Sequence, residues 1–160
     1  FRYGAEGYPG VDGQVYYKEG IYVGYRWFDT KGVEPQFPFG FGLSYTTFKY
    51  GRPRLSADSM DAGGKITLTV DVTNTGSRKG KETVQLYIGD EEASVDRPDK
   101  ELKGFEKVEL EPGQTKTVRF DMLSFWSDKT HGWTAEPGRF KAYVCASQTD
   151  VRGTAGFSLH

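Results

Sequence analysis

One cysteine, Cys145, and two histidines are present among 160 residues, and each scarcity closes a route. A lone thiol forms no disulfide within the chain, and a CxxC metal or redox motif is excluded. His131 and the terminal His160 leave almost nothing from which to build a histidine metal site or a Ser-His-Asp triad. Charge of one sign is missing as well. The 21 basic and 22 acidic residues give a formal net charge of −1, without the basic excess that a phosphate backbone or an anionic membrane surface demands. No apolar run approaches the roughly 20 residues that cross a bilayer. The opening Phe1-Arg2-Tyr3-Gly4-Ala5-Glu6 lacks both an initiator Met and a signal-peptide h-region. Neither nucleic acid nor a membrane is expected as a partner, no cofactor or metal is expected, and the chain reads as an excised or processed piece.

What the chain does have is rings. Aromatic residues make up 15% of it, against a hydrophobic total of 36%, which moves burial onto Phe, Tyr and Trp, side chains that prefer strands. From Lys65 onward apolar and polar residues alternate: Ile66, Leu68, Val70 and Val72 against Thr67, Thr69, Asp71 and Thr73. The same period of two returns as Val84, Leu86 and Ile88 against Thr83, Gln85 and Tyr87, and again as Val118, Phe120 and Met122. Asn74-Thr75-Gly76, Glu111-Pro112-Gly113 and Glu136-Pro137-Gly138 supply turns between these runs and those of Leu102–Leu110 and Phe140–Ala146. Phe48, Tyr50 and Leu55 form a first strand that Pro53 confines to an edge, and Phe157 with Leu159 predicts a short final one. Helix-period segments for crossovers are missing. The fold class is all-β: a β-sandwich of about seven strands over residues 45–160, preceded by an irregular N-terminal extension, residues 1–44.

That extension is a different material. Tyr8-Pro9-Gly10-Val11-Asp12-Gly13 is loop chemistry, and the ring-rich stretch Val15–Phe28 has no return strand to cover it. A short strand over Val15–Tyr17 and a helical turn over Val23–Phe28 are the elements predicted there. The burial this stretch implies must come from the sandwich or from protein outside the chain. "EPQFPFGFGLSYTTF", Glu34–Phe48, then joins the two parts with three phenylalanines, two prolines and only one charged residue.

Residues able to do chemistry are sparse. Asp90-Glu91-Glu92 is the densest acidic cluster, but it directly follows a strand and reads as a solvated loop rather than as a catalytic pair. Glu109 and Glu111 read as exposed surface and His131 as part of a hairpin tip. Ser44, in Gly42-Leu43-Ser44-Tyr45, lacks the spacing of a nucleophile elbow. Cys145 reads as a small buried hydrophobe, and Arg26, between Tyr25 and Trp27, as a structural tie. Trp126 and Trp133 bracket a hairpin and are the candidates for stacking on a sugar ring.

Two strings carry a resemblance. "YYKEGIYVGYRWFDTKGVEPQFPFGFGLSYTTF", Tyr16–Phe48, resembles the junction near the C-terminal end of glycoside hydrolase family 3 enzymes, the β-glucosidases and β-xylosidases. "VQLYIGDEEASVDRPDKELKGFEKVELEPGQTKTVRF" and "GWTAEPGRFKAYVCASQTDVR" are similar to the fibronectin type III-like domain that follows it. The resemblance implies a parent with a (β/α)-barrel and an α/β domain upstream that hold the nucleophilic Asp and the acid/base Glu, so no catalytic residue carries over to this chain, which by itself is expected to be inactive. It implies hydrolysis of terminal β-linked glucose or xylose by that parent, a periplasmic or secreted location, and a buttressing role for this part, with the upstream catalytic domains as its partner. The alternative role is a carbohydrate-binding module that takes oligo- or polysaccharide. Tyr25, Arg26, Trp27, Phe37, Phe39, Phe41 and Tyr45 become the interface candidates, with Pro35 and Pro38 stiffening the crossing. Phe41 stands where the family commonly has His, which leaves packing rather than a polar contact. Cys145-Ala146 follows Val144 where the family often has Gly.

Overall fold

A computed structural model describes residues 7–61, 63–122, 125–127, 132–134 and 136–160. The alternating runs become strands, because a half-buried pleat needs that period. In chain order they are β1 (Phe48–Tyr50), β2 (Arg54–Leu55), β3 (Ser59–Met60), β4 (Ile66–Asn74), β5 (Gly80–Asp90) and β6 (Glu101–Leu110). β7 (Thr115–Met122), β8 (Phe125–Ser127), β9 (Gly132–Thr134), β10 (Gly138–Cys145) and β11 (Val151–Leu159) follow, and the helix α1 (Tyr25–Thr30) precedes them all.

Two sheets face each other. In the first, β4 is central, pairing with β7 along one edge and with β1 and β2 along the other. The second runs β3-β11-β10-β5-β6, antiparallel throughout except for the parallel β3–β11 pair. Counting β1 and β2 as one edge strand broken at Pro53, the long elements number the expected seven. Ile66, Leu68, Val70 and Val72 meet Val84, Leu86, Val108, Leu110, Val144 and Phe157 in a closed core, where the Phe140 and Phe157 rings stack at 5.5 Å. The fold is the β-sandwich that the sequence predicts.

Three local expectations need correction. Val15–Tyr17 forms no strand; it follows a turn closed by reciprocal Val11–Gln14 backbone bonds of 2.9 Å, since no strand among the described residues offers it a ladder. The helical turn lies two residues later than expected, because Gly24 at φ 64 turns the chain into it. The final strand is nine residues long rather than a short Phe157–Leu159 piece. Its polar first half holds its place by backbone pairing to β10, with Gly153 leaving room for the ring of the buried Pro53.

One departure from alternation positions the rest. On β5, Val84, Gln85, Leu86 and Tyr87 are consecutive and all buried. Val84 and Leu86 belong to the core, so Gln85 and Tyr87, which the pattern assigns to the solvent face, are covered from outside. The cover is the N-terminal extension.

Candidate functional site

Helix α1 lies on the outer face of the second sheet, beside the loop that leads into β6. The Tyr25 hydroxyl accepts the Leu102 N–H at 2.8 Å, and its ring stands edge-on to Tyr87 at 5.7 Å and 5.3 Å from Phe39. Four residues on, Asp29 pairs with Lys100, whose ammonium also lies 5.9 Å from the rings of both Tyr87 and Tyr143. Arg26 reaches Glu101 at 3.4 Å, and Thr30 accepts the Asp99 N–H at 3.2 Å. Before the helix, the Tyr22 hydroxyl donates to the Asp96 carboxylate. That bond, with burial and the charges of Asp96 and Asp99, pushes its pKa up to about 12.

The junction continues as a strap along the end of the sheet. Phe39 gives its carbonyl to the Gln148 N–H at 2.8 Å. Gly40 then sits so close to Gln85 that a Cβ would lie 2.1 Å from the amide nitrogen, and its φ of 79° is one that L side chains rarely adopt. Beneath it the Tyr87 hydroxyl donates to Gln85 Oε1 at 2.6 Å and Gln85 Nε2 donates to the Ala146 carbonyl at 3.3 Å. The strap ends on Asn74, fully buried, whose Oδ1 accepts from Thr46 Oγ1 at 2.6 Å and whose Nδ2 donates to the Arg78 and Leu110 carbonyls.

The interface candidates divide into two sets. Tyr25, Arg26 and Trp27 are half-buried against the chain itself, Trp27 and Tyr22 sharing the Lys31 ammonium at 5.7 and 5.0 Å. Phe37, Phe39, Phe41 and Tyr45 face solvent: Phe37 is 67% exposed and Tyr45 94%, and the neighbouring Leu43 is bare. The Phe37 and Phe41 rings lie 5.6 Å apart and form one continuous apolar surface. The backbones of Trp126 and Trp133 face each other across the β8–β9 pair; their side chains lie outside the described residues, as does His131.

Sequence reasoning missed Tyr22, Asp29, Gln85, Tyr87 and Gln148, which complete the inner side of the junction. A glutamine and a tyrosine in a strand between valine and leucine are a weak signal, legible only once something is known to cover that face. Among the described residues, two buried polar atoms at the junction have no hydrogen-bond partner, Arg26 Nε and Gln148 Oε1. Gln148 lines a groove of about 430 Å³ that opens between α1 and the Glu34–Phe39 run.

Three of the carboxylates singled out in the sequence are engaged in ion pairs. Glu92 pairs with Arg139 at 2.9 Å, and Glu109 and Glu111 both hold Lys79, at 3.2 and 3.0 Å. The cleft of about 580 Å³ under the other side of the strap brings Glu82 and Asp150 together. Burial raises the Glu82 pKa even though Tyr50 donates to its carboxylate at 2.8 Å, and Asp150 is held by Arg152 at 2.7 Å. Among the described residues, no three His, Cys, Asp or Glu side chains group so as to hold a metal.

Two sheets packed with these connections define a fibronectin type III-like module, and the family model of the fibronectin type III-like domain matches residues 82–148. The chain is 55% identical over 159 residues to the β-glucosidase BoGH3A of Bacteroides ovatus, a match covering 97% of this chain and 21% of that one. It is 38% identical to an exo-α-(1→6)-L-arabinopyranosidase of Bifidobacterium longum, over 95% of this chain and 20% of the relative. The crystal structure of the Bifidobacterium adolescentis GH3 β-glucosidase superposes with a TM-score of 0.87 at 38% identity, over 96% of this chain and 23% of that one. The chain belongs to the glycoside hydrolase family 3 enzymes, as their C-terminal fibronectin type III-like domain with the junction that precedes it. It spans about a fifth of the length of the curated relatives it matches.

Proposed function

We propose that this region is a non-catalytic brace: residues 1–44 end the preceding α/β domain and carry the aromatic junction, residues 45–160 form the buttress, and both hold the upstream catalytic domains at one angle. The parent then hydrolyses terminal β-linked glucose or xylose with carboxylates that lie upstream. One observation carries this reading. The inner side of the junction is bonded residue by residue to the sandwich, while its outer side leaves Phe37, Phe41, Leu43 and Tyr45 in solvent. A contiguous apolar surface of this kind marks an interface. Each ring covered there buries on the order of 150 Å², worth about 4 kcal/mol at roughly 25 cal/mol per Å² before ordering costs.

The test is the triple replacement of Phe37, Phe41 and Tyr45 by Ala in the full-length enzyme. Its inactivation temperature should fall by several degrees while turnover of a chromogenic β-glucoside at 25 °C stays unchanged. Unaltered heat tolerance would remove the brace, and retention of the isolated module on insoluble glucan or xylan would favour the carbohydrate-binding role.

A further inference from the structure

The groove between α1 and the Glu34–Phe39 run has a chemistry of its own. Its walls are the rings of Tyr25, Phe28, Phe37 and Phe39, Glu34 stands at the exposed rim, and Gln148 lines it from the sandwich side. Gln148 is 1% exposed, yet its Oε1 accepts nothing from the described residues. A buried amide oxygen without a donor is rare in finished structures, because desolvation is costly unless a partner replaces water. The backbone N–H of Gln148 is fixed by Phe39, but the terminal torsion of a glutamine is soft, so the carbonyl can turn into the groove it already lines.

An occupant must therefore present several requirements at once: flat faces to stack on rings, a cationic end for Glu34, and an N–H for Gln148. A guanidinium meets all of them. It is planar, carries five N–H donors in a fixed fork, accepts stacking against aromatic faces and is weakly hydrated for a cation. We infer that the groove between α1 and the Glu34–Phe39 run seats an arginine from the preceding portion of the same polypeptide, held between the four rings and shared by Glu34 and Gln148.

The source follows from connectivity and length. About four-fifths of each matched relative lies outside the region this chain covers, and the groove walls belong to the segment that bridges to it. A covalent bridge of this kind presents the upstream surface at an effective concentration in the millimolar range or above, which a second molecule does not match. The inference rests on the brace reading and names the chemistry of its contact.

The probe is Gln36→p-benzoyl-phenylalanine at the groove lip, introduced into the full-length enzyme, irradiated and mapped by peptide mass spectrometry. The expected product is a cross-link within one polypeptide to an upstream peptide containing arginine. In the same enzyme Glu34→Lys and Gln148→Met should each speed heat inactivation about tenfold, the loss typical of a charge-assisted contact, and neither should add to replacement of that arginine by Ala. A cross-link between two molecules, to an upstream peptide without a basic residue, or none at all, overturns the arginine seat. So does Gln148→Met leaving the half-life unchanged. If the Phe37, Phe41 and Tyr45 replacements still lower heat tolerance in any of those cases, the brace stands and only its arginine contact is lost.

Discussion

Replacing Gly40 by Ala tests whether the strap is locked to the sandwich or merely lies against it. The added Cβ would lie 2.1 Å from Gln85 Nε2 and 2.9 Å from both Oε1 and Cδ. An exposed glutamine would swing aside, but Gln85 is 3% exposed and both ends of its amide are bonded, to Ala146 and Tyr87. Moving it breaks those bonds and leaves the Tyr87 hydroxyl, inside a fully buried side chain, without an acceptor. An unpaired buried group costs about 1–3 kcal/mol, and Ala at a φ of 79° adds about 1–2 kcal/mol. The sum, about 2–5 kcal/mol, lowers the melting temperature of a chain this size by roughly 5–15 °C. Urea unfolding followed by tryptophan fluorescence measures it, and a double-mutant cycle with Gln85→Ala isolates the clash. In that background Gly40→Ala should cost only its backbone part, about 1–2 kcal/mol. A cost below about 0.5 kcal/mol with Gln85 intact, or the same cost in both backgrounds, refutes a locked strap.

Two further outcomes follow from titratable groups. Burial raises the folded-state pKa of Glu82 above its unfolded value, so its contribution to stability is present below the ordinary glutamate range and lost as pH rises through the folded value. Glu82→Gln keeps an acceptor for Tyr50, and its stability gain over the parent should be absent at the acid end and grow towards neutrality; a gain independent of pH from 4 to 7 contradicts the assignment. Burial pushes the Cys145 thiol up to about 12, against the opposing charge of Lys100. A disulfide reagent at pH 8 should therefore label it only on unfolding, and labelling of native protein at the rate of a free thiol would contradict its packing.

Much of the sandwich is legible in the sequence because its strands obey one rule: alternate residues turn to alternate faces, and one face is core. Ile66 to Val72 announce this for β4. The candidate junction is legible for a cruder reason, since rings so dense in a connector must be covered by something. Where the pattern fails is instructive. Gln85 and Tyr87 sit at outward positions and are buried, because the N-terminal extension folds back over them. β11 has too few apolar residues to declare its length, because its first half is held by ladder bonds, which any residue but proline supplies.

The sequence alone determined the sandwich, the positions of its turns and the presence of an aromatic connector, all of which depend on residues near one another along the chain. Only the tertiary structure decided how that connector divides. Tyr25, Asp29 and Gly40 face the sheet and are satisfied by residues 45–77 positions away, whereas Phe37, Phe41 and Tyr45 face outward. The physical reason is that a ring buries itself against whatever surface the fold brings to it, and for contacts so distant in sequence that surface exists only after both sheets have closed.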